Sequence, residues 1–290
     1  MIKEIYKLFR ETMPEVIRDK ATVKRILGDK DNHIISHEAE GKLVGVSVIN
    51  GNVIYLLCVD KSYQNQGIGS SLLAKSEAYV IEKGYNDIVI GAGKAYITPG
   101  IPKPSGHYRF FEKRGFFHAW NEKDCFDMEM KLADFIDDGH NLGDIVDGIC
   151  YRFAKPADMD AVRECIADAE DFFVKYYMNE ELYHPDTGQR ALIALRGDEV
   201  VGALMVYAAT DDAVKGSGAV GCTATKTKYR GQGIATMMVR LGTKHLWESG
   251  IESSFVGYTY TDIMSVYGKS GYQVSMEYFM AKKELSRETV

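Results

Sequence analysis

The sequence predicts an α+β fold made twice: two consecutive domains, each a mixed, mostly antiparallel sheet flanked by helices. Three observations predict it. The stretch YQNQGIG at 63–69 returns as YRGQGIA at 229–235. Each copy joins a strand-like run to a run with helical spacing. Each is followed, one strand pattern later, by an aromatic-rich helix that closes on glycine and an aromatic residue, FEKRGF at 111–116 and YGKSGY at 267–272. A chain of 290 residues is long enough for two such domains. Copies this far apart mark whole domains, not solenoid repeats.

In the first half, IKEIYKLFRETM and EVIRDKATVKRIL place apolar residues three and four apart and read as helices. The run HIISHEAEGKLVGVSVINGNVIYLLCVD reads as three strands, with a hairpin at Glu40-Gly41-Lys42. After the glycine turn comes the helix SSLLAKSEAYVIEKG, closed by Gly84. The strand NDIVIGAG, the loop YITPGIPKPSG, the helix HYRFFEKRG and the strand CFDMEMKL complete the half.

The second half repeats the order. ICYRFAKPAD is a strand entering the helix MDAVRECIADAE, with Asp158 as N-cap. RALIALRGDEVVGALMVYAA is a hairpin that turns at Arg196-Gly197-Asp198, and GAVGCTATKT leads into the second glycine turn. The helix ATMMVRLGTKHLWESG, the strand ESSFVGYTY, the helix TDIMSVYGKSG and the strand YQVSMEYFMAKKEL follow. Between the halves, ADFIDDGHNLGDIVDGI is acidic and glycine-containing, as linkers often are. The expected domains are therefore 1–132 and 150–290, joined by a linker at 133–149.

Composition narrows the function. Hydrophobic residues are 46% and charged residues 26% of the chain, a globular balance. A net charge of −6 disfavours nucleic-acid binding and suits cationic small molecules such as amines. No apolar run approaches the roughly 18 residues of a membrane span. The first residues, MIKEIYKLFRETMPEVIRDK, do not read as a signal peptide, so the expected location is the cytoplasm and no membrane partner is expected. The five cysteines (Cys58, Cys125, Cys150, Cys165, Cys222) are scattered and form no C-x-x-C, and His33 and His37 share a strand, not a helix face. No metal site is expected.

The glycine turn carries the chemistry. A strand that ends in such a turn and enters a helix leaves backbone N–H groups unpaired at the positive end of the helix dipole, which suits an anion. The spacing is Gln64-x-x-Gly67-x-Gly69 and Arg230-x-x-Gly233-x-Ala235. It has neither the Walker lysine nor the dinucleotide fingerprint.

Taken with VYGKSGY and FFEKRGF, the two turns resemble the GNAT family of acyl-CoA N-acyltransferases, over most of both halves. The resemblance implies acetyl-CoA as cofactor, with its pyrophosphate on the turn. In the second half that is Arg230, Gly231, Gln232, Gly233, Ile234 and Ala235; in the first it is Gln64, Asn65, Gln66, Gly67, Ile68 and Gly69. The strand position whose main chain faces the acetyl carbonyl falls at Thr225 and Val59. Transfer to an amine proceeds directly, through a tetrahedral species, and needs a base for the ammonium and a proton for the leaving thiolate.

The resemblance implies a tyrosine as that proton donor, at Tyr267 in the second half; Phe111 occupies the position in the first. Catalysis is therefore expected in the second half, with Tyr108 a poor substitute in the first. Asp262 is the candidate base, weighed equally against a helix-capping role. Tyr258 and Tyr260 alternate on one strand and are candidates for the acceptor site, as is Tyr272, which at the terminal aromatic position could equally be a packing residue or a second donor.

The second half also looks similar to bacterial glucosamine and glucosaminide N-acetyltransferases, which re-acetylate amino sugars, including those of cell-wall turnover. An amino sugar is thus the first acceptor expected. The alternatives are an aminoglycoside, a polyamine or a peptide amine, or an acyl-CoA-binding regulator that transfers nothing. Oligomeric state is left open.

Overall fold

The computed structural model describes residues 1–286 other than 17, 19, 93–94, 120–124, 186 and 209–215. In chain order the elements are α1 (Ile2–Thr12), α2 (Lys20–Leu27), β1 (His33–Ala39), β2 (Lys42–Asn50), β3 (Val53–Val59), α3 (Ile68–Glu82), β4 (Asp87–Ile90), β5 (Ile101–Pro102), α4 (Tyr108–Glu112) and β6 (Phe117–His118). Then come β7 (Cys125–Lys131), β8 (Ile145–Val146), β9 (Ile149–Phe153), α5 (Met159–Glu170), α6 (Val174–Tyr177), β10 (Gln189–Arg196), β11 (Glu199–Ala208) and β12 (Ser217–Thr225). The last are α7 (Ile234–Glu248), β13 (Ser253–Tyr260), α8 (Thr261–Gly268), β14 (Gln273–Phe279) and β15 (Ala281–Glu284).

Two compact units form, and each is a mixed, mostly antiparallel sheet flanked by helices, as the sequence predicts. Their boundaries differ from the expected ones. Unit one is 1–125 with 276–290, and unit two is 126–275. The sheet of unit one runs β1-β2-β3-β4-β15-β6, so the last strand of the chain pairs antiparallel with both β4 and β6. Unit two holds the strand order β7-β13-β12-β11-β10-β9-β8, so the last strand of the first half, β7, lies beside β13. Each unit is completed by a strand from the other half of the sequence. The stretch YQVSMEYFMAKKEL, expected as one strand, is accordingly two, broken at Met280.

Nor is 133–149 a free linker. The ammonium of Lys244 on α7, itself buried, donates to both oxygens of Asp137 at 2.8 Å, to the His140 carbonyl at 3.0 Å and to Asn141 Oδ1 at 2.9 Å. Arg240 pairs with Asp138 at 2.9 Å, and Phe135 packs on Trp247. Acidic residues that read as solvated linker are instead the counter-charges of α7.

The hairpins fall where expected, with Glu40 and Gly41 at φ 51° and 72° and Gly197 at φ 58°. Asp158 stands at the N-cap of α5 but makes no side-chain cap bond to it, capping instead the short turn that precedes it. Its carboxylate accepts from Arg152 at 2.7 and 2.9 Å and from the Lys155 N–H at 2.7 Å, and the guanidinium holds its pKa below the usual range.

One repeated glycine sets how closely the helix after each turn approaches its sheet. Gly45 on β2 pairs with Val59, and Gly202 on β11 pairs with Thr225. A Cβ on Gly45 would meet Ile68 Cγ2 at 2.9 Å, and one on Gly202 would meet Met238 Cε at 2.9 Å and Ile234 Cγ2 at 3.3 Å. Ile68 and Ile234 are the first residues of α3 and α7. The helix that follows each glycine turn therefore sits on a notch in the neighbouring strand.

Among the described residues no helix is long and apolar enough to cross a membrane, and no cluster of three metal-ligating side chains occurs. Filling the notch is expected to cost stability: Gly202→Val should lower the free energy of unfolding by about 1–3 kcal/mol in urea melts, as overpacking does. Gly221→Ala, where a Cβ meets nothing within 4 Å, is the control.

Candidate active site

In each unit the parallel pair at the centre of the sheet separates. β3 pairs with β4 at Val53–Val89 and Ile54–Ile90 and then parts from it, leaving Tyr55 to Val59 on an open edge. β12 pairs with β13 from Ser217–Ser253 to Ala219–Phe255 and then parts, leaving Val220 to Thr225 open. Each open edge runs into its glycine turn.

The turns have the same backbone. Asn65 and Gly67 lie at φ 60° and 84°, and Gly231 and Gly233 at 79° and 78°. Two left-handed residues aim successive N–H groups to one side, the geometry of an anion nest. Asn tolerates that region better than most residues, which is why it replaces the first glycine. Gly67 and Gly233 precede their helices, and their carbonyls accept from Ser71 and Met237 at 3.0 Å. Among the described residues, the N–H groups from Asn65 to Ser70 and from Gly231 to Thr236 find no protein acceptor. Both rows stand at the positive end of a 15-residue helix.

The first side chain of each motif does not reach outward. Gln64 Nε2 donates to the Val59 carbonyl at 3.0 Å, and Arg230 Nε to the Thr225 carbonyl at 3.2 Å. Arg230 also donates to the Ala169 carbonyl at 2.7 Å. These side chains fasten the turn to the strand. Glu199 balances the cations around the second turn: it takes the Tyr229 hydroxyl at 2.7 Å and the ammonium groups of Lys226 and Lys228 at 3.0 Å. Tyr229, then the two lysines, hold its pKa down to about 2.

Unit one has room along its open edge. A cavity of 410 Å³ is lined by Leu57 and Val59 of β3, Gly67 and Gly69 of the turn, and Phe110 and Phe111 of α4. Arg114 also lines it, with its guanidinium donating to Ser70 Oγ and the Phe110 carbonyl at 2.7 Å. That arginine lies within FEKRGF but sequence reasoning gave it no role. Phe111 is buried, and Tyr108 packs on Phe279 with ring centroids 5.4 Å apart. The open edge, the row of free N–H groups and the cationic Arg114 fit a phosphorylated thioester such as acetyl-CoA.

Unit two has the phenol. The Tyr267 hydroxyl lies 3.0 Å from Thr223 Oγ1 on the open edge of β12, and burial pushes its pKa up to about 12. It is therefore protonated at neutral pH. The buried Thr225 hydroxyl has no partner among the described residues, an unfilled polar position on the same edge. Tyr272 is elsewhere. It is 3% exposed, its hydroxyl lies 2.8 Å from Thr243 and 2.6 Å from Ser254, and it joins α7 to β13. Its hydroxyl is thus engaged between α7 and β13.

Tyr258 and Tyr260 do face one side, with ring centroids 5.5 Å apart and the buried Thr259 between them. Asp262 is exposed in the first turn of α8, whose N-cap is Tyr260, so the capping role weighed for Asp262 is not taken. Two residues that sequence reasoning missed also belong here. The fully buried Tyr177 donates to the Cys222 carbonyl at 2.8 Å, and Asp127 accepts from the Tyr258 N–H at 3.0 Å. No local signal marks either one.

The two halves match known families. Residues 3–98 match the acetyltransferase (GNAT) domain, and residues 159–272 match the acetyltransferase (GNAT) family. No curated protein matches the sequence. Among solved structures, one similar chain is a fungal multi-domain GH3 beta-N-acetylglucosaminidase with a GCN5-related glucosamine N-acetyltransferase region, at 17% identity and a TM-score of 0.78. The match covers 97% of this chain, which spans 36% of that one. A GCN5-related N-acetyltransferase from Sphaerobacter thermophilus matches at 16% identity and TM-score 0.72, over 97% of this chain and 91% of that one. A tandem GNAT protein from the clavulanic acid biosynthesis pathway matches at 12% and 0.69, over 99% and 96%. At these identities the likeness is one of fold.

Glu199 offers a test of the second turn by pH. Its folded pKa is depressed from the ordinary 4.5 to about 2, so its contribution is present above pH 4.5 and is lost as pH falls toward 2. Glu199→Gln should lower the melting temperature at pH 7 and flatten its fall between pH 4.5 and 2. An unchanged acid limb would show that this carboxylate is not what holds Lys226, Lys228 and Tyr229 together.

Proposed function

We propose that this chain, which belongs to the GNAT acetyltransferase family in both of its halves, acetylates a primary amine with acetyl-CoA in unit two. The first acceptor is the amino group of glucosamine or a glucosaminide. The observation that carries the assignment to unit two is Tyr267, a buried phenol on the open strand edge, where unit one has Phe111.

Acetyl-CoA supplies an activated acyl group as a thioester. The N–H row from Gly231 to Thr236 would hold its phosphates, with Arg230 fastening that turn to β12. Asp262, exposed at the start of α8, attracts the ammonium of the acceptor and takes its proton. Tyr267 gives its proton to the departing sulfur. Tyr258 and Tyr260 offer aromatic faces to the acceptor. An amino sugar as acceptor draws support from the glucosamine N-acetyltransferase region of the fungal relative, which is a statement about that protein.

A second reading has its own observation. The 410 Å³ cavity beside the first turn favours unit one as a holder of acyl-CoA that transfers nothing, because Phe111 cannot give a proton. The two readings are compatible.

Thiol release from acetyl-CoA with glucosamine as acceptor tests them together. Tyr267→Phe should lower kcat by about 10²-fold or more, the usual contribution of a positioned acid. Gly69→Val should leave turnover intact and weaken cofactor binding to unit one only: a Cβ there meets Phe110 at an ordinary 3.5 Å, and the further methyls crowd the cavity. Turnover lost in Gly69→Val and kept in Tyr267→Phe would move catalysis to unit one. Release with an aminoglycoside, a polyamine or a peptide amine and none with glucosamine would replace the acceptor.

A further inference from the structure

We infer that Asp127 is a positioning residue for the acceptor amine, acting through Tyr258; this rests on unit two being the transferring domain. Asp127 comes from CFDMEMKL, the closing strand of the first half, yet it lies in unit two on β7, beside β13. It is 5% exposed. A buried carboxylate must be hydrogen-bonded to be tolerated. Its Oδ1 accepts the Tyr258 N–H at 3.0 Å.

Tyr258 explains why a carboxylate is needed there. Its φ is +58°, in the left-handed region that an aromatic residue rarely enters. A strand residue turned that way points its N–H off the ladder, so an acceptor outside the ladder must meet it. Gly257 stands beside this bond: a Cβ on it would strike the Phe255 ring at 2.9 Å and meet Asp127 Oδ1 at an ordinary 3.5 Å. The bond to Asp127 thereby sets where the Tyr258 ring lies, where its partner Tyr260 lies, and where α8 begins with Asp262 in its first turn.

The facing edge is built the same way. Cys222 on β12 has φ +47°, and its carbonyl takes the hydroxyl of Tyr177. Each lip of the split thus carries one left-handed non-glycine residue pinned by a buried polar side chain. Strained backbone held by its surroundings is a mark of a working site. The lip pinned by Asp127 is the one that bears the acceptor tyrosines.

The test is steady-state kinetics of the full chain with acetyl-CoA and glucosamine, across a pH series, with folding checked by melting temperature. Asp127→Ala should raise the KM for the amine about 10- to 100-fold with the KM for acetyl-CoA little changed, as misplacement of an acceptor site does. Asp127→Asn keeps an acceptor oxygen within reach of the Tyr258 N–H and should restore most of the loss. An amine KM unmoved in folded Asp127→Ala would overturn the inference. So would an Asp127→Asn as damaged as Asp127→Ala with a shifted pH profile, because the negative charge would then matter and not the hydrogen bond. Should Asp127→Ala fail to fold, Asp127→Ser, whose shorter side chain draws its oxygen back from the Tyr258 N–H, carries the test and should raise the amine KM in the same selective way; an unmoved KM there would overturn it too. A wild type silent on every amine would sink the function reading and this role with it, whereas an active wild type with an unmoved KM sinks this role alone.

Discussion

A parallel strand pair that stops pairing is the feature on which both sites depend. Once β3 leaves β4, or β12 leaves β13, the backbone groups on the facing edges lose their ladder partners. Unpaired polar backbone is tolerated only where something else satisfies it. The turn that follows adds a second row of unpaired groups, the first N–H donors of a long helix, gathered by two left-handed residues. A ligand with a phosphate at one end and an amide-bearing arm behind it would satisfy both rows together. The notches at Gly45 and Gly202 belong to the same arrangement, since they let the helix start close against the sheet.

The two copies have kept different parts of this arrangement. Both retain the split, the turn and the glycine notch. Unit one retains an open cavity and an arginine beside the free N–H row, with a phenyl ring where the other unit has a phenol. In unit two, Tyr267 meets Thr223 and Tyr177 meets the Cys222 carbonyl, so hydroxyl groups line the open edge.

The exchange of strands ties the units to one another through the chain itself. β7 serves unit two and β15 serves unit one. Asp127 is therefore a residue of the first repeat that works on the site of the second. The acidic stretch between the halves is likewise bound, through Lys244 and Arg240, to the helix behind the second turn. No cut between the halves leaves either unit whole.

The sequence alone determined the duplication, the α+β class, the hairpins and both turns. These follow from local rules: period 2 or 3.6 in the apolar residues, and glycine or asparagine where φ must be positive. The repeat aligns Tyr267 with Phe111, and the resemblance implied the tyrosine as the proton donor. Only the tertiary structure decided which sheet each closing strand joins, that the phenol of Tyr272 lies in the core, that Asp158 turns to Arg152, and that Asp127 reaches Tyr258. Alternation along a strand tells which face a side chain takes, but not which strand lies beside it. That choice is made by hydrogen bonds between residues more than a hundred positions apart, and no local pattern in the chain encodes it.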